Sequence, residues 1–81
     1  MALTLLFLGK LQEVAGADER AIEVAGPLSL AQIAERLEPD LAAAISAPTV
    51  RIAVNGALVA RVKVAAQDGD ELAFLPPVSG G

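Results

Sequence analysis

The pattern of apolar and polar residues predicts two strands that are apolar on both faces. Because side chains alternate across a strand, residues 2–8 divide into two sets, and both sets are largely apolar. One set is Leu3, Leu5 and Phe7, and the other is Thr4, Leu6 and Leu8. A later strand, residues 71–75, has Leu72 and Phe74 on one face and Ala73 and Leu75 on the other. The first of these strands is therefore expected at the centre of a sheet.

A capping box and a helical repeat predict the main helix. Ser29 is followed three residues later by Gln32, the spacing at which side chain and backbone cap each other. Apolar residues then recur at the spacing of one helical face. They are Leu30, Ile33, Ala34 and Leu37. The helix should end near Glu38, because Pro39 disfavours helical geometry in the residue before it, and a second short turn should run from Pro39 to Ser46.

Turn and alternation signals place the remaining elements. Residues 10–19 are predicted to form a connection with one helical turn, and residues 20–24 a second strand. Asn55 and Gly56 predict a hairpin, because both tolerate positive φ, and residues 57–64 then carry the alternating charges of an edge strand. The order of strand, strand, helix and further strands indicates an α+β domain with a helix on one face of its sheet.

One helix cannot cover both faces of such a sheet, so a second apolar face is expected. Its members lie opposite the best core candidates. They are Leu6, Leu8, Ala73 and Leu75. A contiguous apolar patch favours a surface that docks a partner. The alternative is that the short turn or a long loop folds over it.

Composition limits the class of protein. A chain of 81 residues forms one domain, here residues 1–81. Although 54% of the residues are hydrophobic, no apolar run approaches the roughly 18 residues that span a bilayer, so no membrane association is expected. Lys10 follows the first apolar run rather than preceding it, unlike a signal peptide, and a cytoplasmic location is expected. The net charge of −4 and 2% aromatic content argue against nucleic-acid binding.

The residue inventory excludes several kinds of chemistry. The sequence has no Cys and no His, so it offers no thiolate, imidazole base or disulfide, and we expect no metal site. Asp68, Asp70 and Glu71 are interpreted as a solvated turn rather than an acid/base cluster. Four scattered basic residues are candidates to contact an acidic surface or phosphate, though such charges usually serve solubility. They are Lys10, Arg51, Arg61 and Lys63, of which Arg61 and Lys63 lie on the predicted edge strand.

The last six residues, 76–81, are predicted to form a flexible C-terminal tail. Pro76 and Pro77 direct the chain out of the sheet in a stiff extended form, and the final glycines add no bulk. The tail reaches at most about 20 Å and suits a narrow channel in another protein. The carboxylate of Gly81 is a poor electrophile that needs activation, and without a P-loop the activation falls to a partner. From the residues alone, an inert frayed terminus stays equally open.

The end of the sequence also resembles a known family. The block of residues 68–81, together with Asn55-Gly56 and Leu6-Phe7, is similar to the small subunit of molybdopterin synthase. That is the MoaD branch of the MoaD/ThiS sulfur carriers, so the resemblance implies a ubiquitin-like β-grasp with a mixed sheet and a main helix on one face. The thiamine-pathway carriers share the fold and the terminal glycines. The segment before those glycines, Pro76, Pro77, Val78 and Ser79, is similar to the molybdopterin branch.

The resemblance implies a carrier rather than an enzyme. The carboxylate of Gly81 would be adenylated by an E1-like adenylyltransferase, which consumes the ATP, and converted to a thiocarboxylate. The tail would then enter the large subunit of molybdopterin synthase, in a heterotetramer of two small and two large subunits. There the sulfur would pass to cyclic pyranopterin monophosphate, and this chain would bind no cofactor itself. The inserted tail residues would be Pro76, Pro77, Val78, Ser79 and Gly80.

The resemblance further implies that Leu8, Leu58 and Leu75 dock the partner, in agreement with the second apolar face. The sequence departs from the family pattern, because two of these positions are Phe in some members and Gln12 stands where a basic residue is common. The segment from Val59 to Asp68 has no familiar counterpart. Three alternatives stay open: a thiamine-pathway carrier, a ubiquitin-like modifier of target lysines, and a structural adaptor with an inert tail.

Overall fold

The computed structural model describes residues 2–77, which form a five-stranded sheet with three α-helices on one side. The elements follow in chain order. They are β1 (Leu3–Phe7), α1 (Leu11–Ala15), β2 (Glu19–Ile22), α2 (Leu30–Ala34), α3 (Pro39–Ile45), β3 (Arg51–Val54), β4 (Ala57–Val59), a short 3-10 helix (Arg61–Lys63) and β5 (Glu71–Leu75).

The sheet is mixed, with strand order β2-β1-β5-β3-β4. Strands β1 and β5 run parallel, and the other neighbouring pairs are antiparallel. Each of β1 and β5 therefore has a hydrogen-bonded neighbour on both sides, and for β1 the two-sided apolar pattern predicted this position. The α+β β-grasp prediction is confirmed. No helix within residues 2–77 has the length and apolar character needed to cross a membrane.

The core lies between the helices and one face of the sheet. Phe7 and Phe74 occupy the centre of this face, with their rings stacked at 5.7 Å between centroids and 13° between planes. Each helix contributes two buried side chains to the same cluster. They are Leu11 and Ala15, Leu30 and Ile33, and Leu41 and Ile45. Because strand side chains alternate, burying Leu3, Leu5 and Phe7 turns their neighbours in β1 to the opposite face.

The helices differ from the prediction in their relative lengths. The capping box is confirmed, since the Gln32 N–H donates to Ser29 Oγ at 3.2 Å and Gln32 Oε1 accepts from the Ser29 N–H at 2.9 Å. However, α2 ends at Ala34 rather than near Glu38. The predicted segment from Pro39 to Ser46 is confirmed as the seven-residue α3, the longest helix among the described residues. Pro39 lies in the first turn of α3, where its missing N–H costs nothing.

The predicted edge strand over residues 57–64 is wrong beyond Val59. The strand β4 ends there, and the chain turns into the 3-10 helix. The cause is Arg61, whose guanidinium donates to the backbone carbonyls of Ser46, Ala47 and Val50. These acceptors lie at the C-terminal end of α3 and in the loop before β3. The alternating charges are typical of an edge strand, but one of them, Arg61, instead binds the C-terminal end of α3.

Candidate docking face and tail root

The sheet face that points away from the helices, here called the open face, is apolar across four strands. The strand registers align Leu6 with Ala73, Ala73 with Ala53, and Ala53 with Leu58, which makes one continuous apolar row. At the edges of the open face Leu8 is 40% exposed and Leu58 is 60% exposed. Within residues 2–77, therefore, neither a helix nor a loop shields these two leucines. The structure does not support the alternative that the turn or a loop folds over this face.

The three leucines predicted as docking residues lie on the open face. Leu75 is half-buried and pairs in register with Arg51, which shares its face. Leu8 directly follows β1, whose parallel register aligns Phe7 with Phe74, so Leu8 lies beside Leu75. Leu58 lies in β4, at the far edge of the same surface. Their placement is established, and binding of a partner by Leu8, Leu58 and Leu75 stays a prediction.

The tail leaves the sheet at a defined point, here called the tail root and consisting of Pro76 and Pro77. The Leu8 N–H donates to the Phe74 carbonyl at 3.3 Å, so the parallel pairing continues to the exit. Next to it Gly9 adopts a φ of +56°, and a Cβ at this position would lie 3.0 Å from Pro76 Cγ. Glycine adopts this backbone conformation readily and leaves the space that Pro76 occupies. Sequence reasoning missed this contact, because nothing local links Gly9 to Pro76.

Two clefts flank the tail root. One is lined by Leu75 and both prolines on one side and by Pro48, Thr49 and Arg51 on the other. The second is lined by the same prolines with Gly9 and Lys10. Because the prolines lack N–H donors, the root has no backbone donor of its own to hold it in the sheet. The predicted reactive residue, Gly81, and its neighbours Val78, Ser79 and Gly80 lie outside the described residues.

The acidic turn forms a hydrogen-bonded structure at the opposite end of the sheet. Asn55, with a φ of 51°, donates from Nδ2 to Asp70 Oδ1 at 3.0 Å and accepts from the Glu71 N–H at 2.9 Å. The Asn55 hydrogen bond, followed by that of the Gln67 N–H, holds the pKa of the Asp70 carboxyl below its ordinary value. Asn55 therefore connects the hairpin turn to β5. No cluster suited to a metal ion occurs among the described residues.

The basic residues divide into those that bind within the chain and those that do not. The guanidinium of Arg61 is bound to three carbonyls, so the prediction that Arg61 is available for a partner is wrong. Arg20 pairs with Glu38, with nitrogen–oxygen distances of 2.6 and 3.0 Å, and this hydrogen bond lowers the pKa of Glu38 from 4.5 to about 2. Arg36 donates to the Glu23 carbonyl.

Comparisons with known proteins agree with this geometry. The model of the ThiS family matches residues 5–81. The crystal structure of small archaeal modifier protein 1 from Haloferax volcanii is 28% identical, with a TM-score of 0.77 and full coverage of both chains. The putative molybdopterin converting factor subunit 1 from Pyrococcus furiosus is 23% identical, with a TM-score of 0.73, covering 96% of this chain and 99% of that one.

A further solved structure contains a related chain bound to another protein. It is the complex of subunits 1 and 2 of the molybdopterin-converting factor from Helicobacter pylori, 24% identical, with a TM-score of 0.67 and full coverage of both chains. At this identity the Pyrococcus and Helicobacter structures establish the fold alone. No curated protein matches the sequence.

Proposed function

Because the chain belongs to the ThiS family, we propose that it is a sulfur carrier and serves as the small subunit of molybdopterin synthase. The observation that carries the proposal is the continuity of the open face with the tail root. An apolar surface from Leu58 to Leu75 ends where Pro76 directs the chain out of the sheet. A partner that covers the open face therefore receives the tail at a fixed place.

The proposed chemistry takes place on the carboxylate of Gly81. In the activating partner an oxygen of this carboxylate attacks the α-phosphorus of ATP, which gives an acyl adenylate and releases pyrophosphate. Hydrosulfide from a sulfur donor would then attack the acyl carbon, and AMP would leave with the electron pair of the broken C–O bond, so that a thiocarboxylate remains. This sequence supplies no thiolate or imidazole, so the E1-like adenylyltransferase would provide the catalytic groups and the nucleotide site.

The proposed delivery takes place in the large subunit. The tail, Pro76 to Gly81, would enter its channel and present the sulfur to cyclic pyranopterin monophosphate, and hydrolysis would restore the carboxylate. Two sulfurs are needed for one dithiolene, which fits the heterotetramer expected from the family resemblance. The subunit 1 and 2 complex from Helicobacter pylori supports a partner protein of this kind. The reaction belongs to the cytoplasm in this proposal, and the small subunit binds no cofactor.

The last residues of the sequence favour molybdopterin synthesis over the thiamine pathway. The segment Pro76-Pro77-Val78-Ser79 before the two glycines is similar to the molybdopterin branch. A second candidate function is protein modification, in which activated Gly81 is transferred to a lysine of a target. It is favoured by the 28% identity to small archaeal modifier protein 1 over the whole chain.

Reconstitution separates these functions. The chain is incubated with the E1-like adenylyltransferase, ATP, a sulfur donor, the large subunit and the pterin precursor, and molybdopterin is measured by its fluorescent oxidation product. A variant with one extra residue after Gly81 is the control, because it folds alike but has no activatable glycine at its end. The proposal requires product from the wild type and none from the extended chain. Gly81-linked lysine conjugates without molybdopterin would establish the modifier instead.

A further inference from the structure

Within residues 2–77, three of the six basic side chains make no hydrogen bond or ion pair. Among residues 2–77 every hydrogen bond and ion pair of a basic side chain belongs to Arg20, Arg36 or Arg61. The remaining three side chains make neither kind of contact in this part of the chain. They are Lys10, Arg51 and Lys63, and all three residues are exposed.

Two of these three cations lie on either side of the tail root. Arg51 lines the cleft between the root and Thr49, and it shares the open face with Leu75, its partner in the register. Lys10 lines the cleft on the other side, next to Gly9. Lys63 lines neither cleft. The base of the tail is thus flanked by positive charge in a chain whose net charge is −4.

We propose that Arg51 and Lys10 bind carboxylates on the rim of the channel that receives the tail. The inference rests on the proposed function, in which the tail enters a partner. A partner complementary to the chain as a whole would be basic, whereas acidic groups on the rim of the channel would meet Arg51 and Lys10 at the root. Charges placed in this way fix orientation and raise the association rate more than they raise affinity.

Carboxylates fit this position better than the phosphates of a nucleotide. Residues 78–81 separate the root from the reacting carboxylate, and four extended residues span about 14 Å. In an inserted, extended tail the activated carboxylate of Gly81 is therefore farther from the root than an arginine or lysine side chain can reach. What these cations meet is the entrance of the channel, where aspartate and glutamate are the available anions of a protein surface.

The test compares three substitutions that change the net charge equally. Arg51→Gln and Lys10→Gln remove a cation at the root, and Lys63→Gln removes the third cation as the matched control. Association rates and Kd are measured with the purified large subunit at low and high salt. At low salt we expect the association rate to fall about 3- to 10-fold for each root variant and less than about 2-fold for Lys63→Gln. At high salt the differences should shrink, because screening removes them.

Two further measurements keep the outcomes distinct. Arg51→Lys preserves the charge and should restore most of the association rate, and thermal melts check that every variant is folded. Equal effects of all three Gln substitutions would overturn the inference, since only net charge would then matter. So would an unchanged association rate with a raised KM for ATP in adenylation, which would indicate a phosphate contact. If the wild type itself fails to bind the large subunit, the proposed function fails first.

Discussion

The two faces of the sheet carry similar apolar residues in different environments. The face packed against the helices, here called the covered face, forms the core, whereas the open face is partly exposed. In β1, Leu5 on the covered face is fully buried, whereas Leu8 just beyond the strand on the open face is 40% exposed. Strand β5 repeats the contrast, with Phe74 fully buried and Leu75 half-buried. The hydrophobic pattern of the strands is nearly symmetric, so the position of the helices decides which face becomes the core.

This asymmetry has an energetic consequence. Burying a leucine side chain contributes about 1.5 to 3 kcal/mol, and on the covered face folding already uses it. On the open face the leucines are still partly exposed, so burying them against a partner would contribute much of this free energy to binding. In the proposed function a channel fixes the four residues after Pro77, and fixing four residues from a flexible state would cost about 4 to 8 kcal/mol of backbone entropy. The open face is the apolar surface of this chain that is available to offset it.

The largest expected effect is the loss of folding stability caused by a substitution on the covered face. Leu5→Ala should lower the free energy of unfolding by about 2 to 5 kcal/mol, because it leaves a cavity in the core. Leu58→Ala, the same substitution at a side chain that is 60% exposed, should change it by no more than about 0.5 kcal/mol. Urea unfolding of both variants gives the comparison. Similar losses for the two would contradict the distinction between the faces.

The next largest expected effect is the loss of partner binding caused by a substitution on the open face. Leu75→Asp should weaken binding to the large subunit by about 2 kcal/mol or more, as expected for a central interface anchor. Its melting temperature should stay close to that of the wild type. Calorimetric titration measures the binding, and Leu58→Asp provides a second position on the same surface. Global unfolding of the Leu75 variant would instead assign this side chain to the core.

A smaller effect concerns the tail root. Gly9→Ala and Gly16→Ala both place a side chain at positive φ, at a cost of about 1 to 2 kcal/mol. Only at Gly9 does the new Cβ meet Pro76, whereas nothing lies within 4 Å of it at Gly16. We therefore expect similar losses of stability but slower thiocarboxylate formation only for Gly9→Ala. Equal rates of thiocarboxylate formation in the two variants would show that Gly9 does not position the tail.

The smallest expected effect is on the pH dependence of the free energy of unfolding, through the ion pair of Arg20 and Glu38 at the edge of the covered face. Arg20 lies opposite Leu5 in the register and holds the pKa of Glu38 at about 2 instead of 4.5. A depressed folded-state pKa stabilises the native state above pH 4.5, and this contribution is lost as the pH falls towards 2. Glu38→Gln should therefore flatten the pH dependence of the free energy of unfolding in this window. An unchanged profile would show that the ion pair does not contribute.

Local patterns in the sequence predict most of the fold but not its long-range contacts. The bounds of β5 agree with alternation after the Asp68-Gly69-Asp70 turn, and Asn55-Gly56 marks the hairpin because its backbone requirement is local. The bond of Arg61 to the end of α3 and the contact of Gly9 with Pro76 escape prediction. Both contacts join residues far apart in the sequence, and the hydrophobic periodicity of a segment does not predict such contacts. The open face was predictable because two-sided alternation shows in each strand separately.

The most direct test of the sulfur-carrier assignment is the intact mass of the chain purified from its own cells. A sulfur carrier should show a fraction heavier by the difference between one sulfur and one oxygen atom, and tandem fragmentation should locate the change at Gly81. That fraction should fall when the E1-like partner is deleted and rise when the large subunit is deleted. A chain whose Gly81 carboxylate is unmodified in every one of these cells would contradict the assignment of this protein as a sulfur carrier.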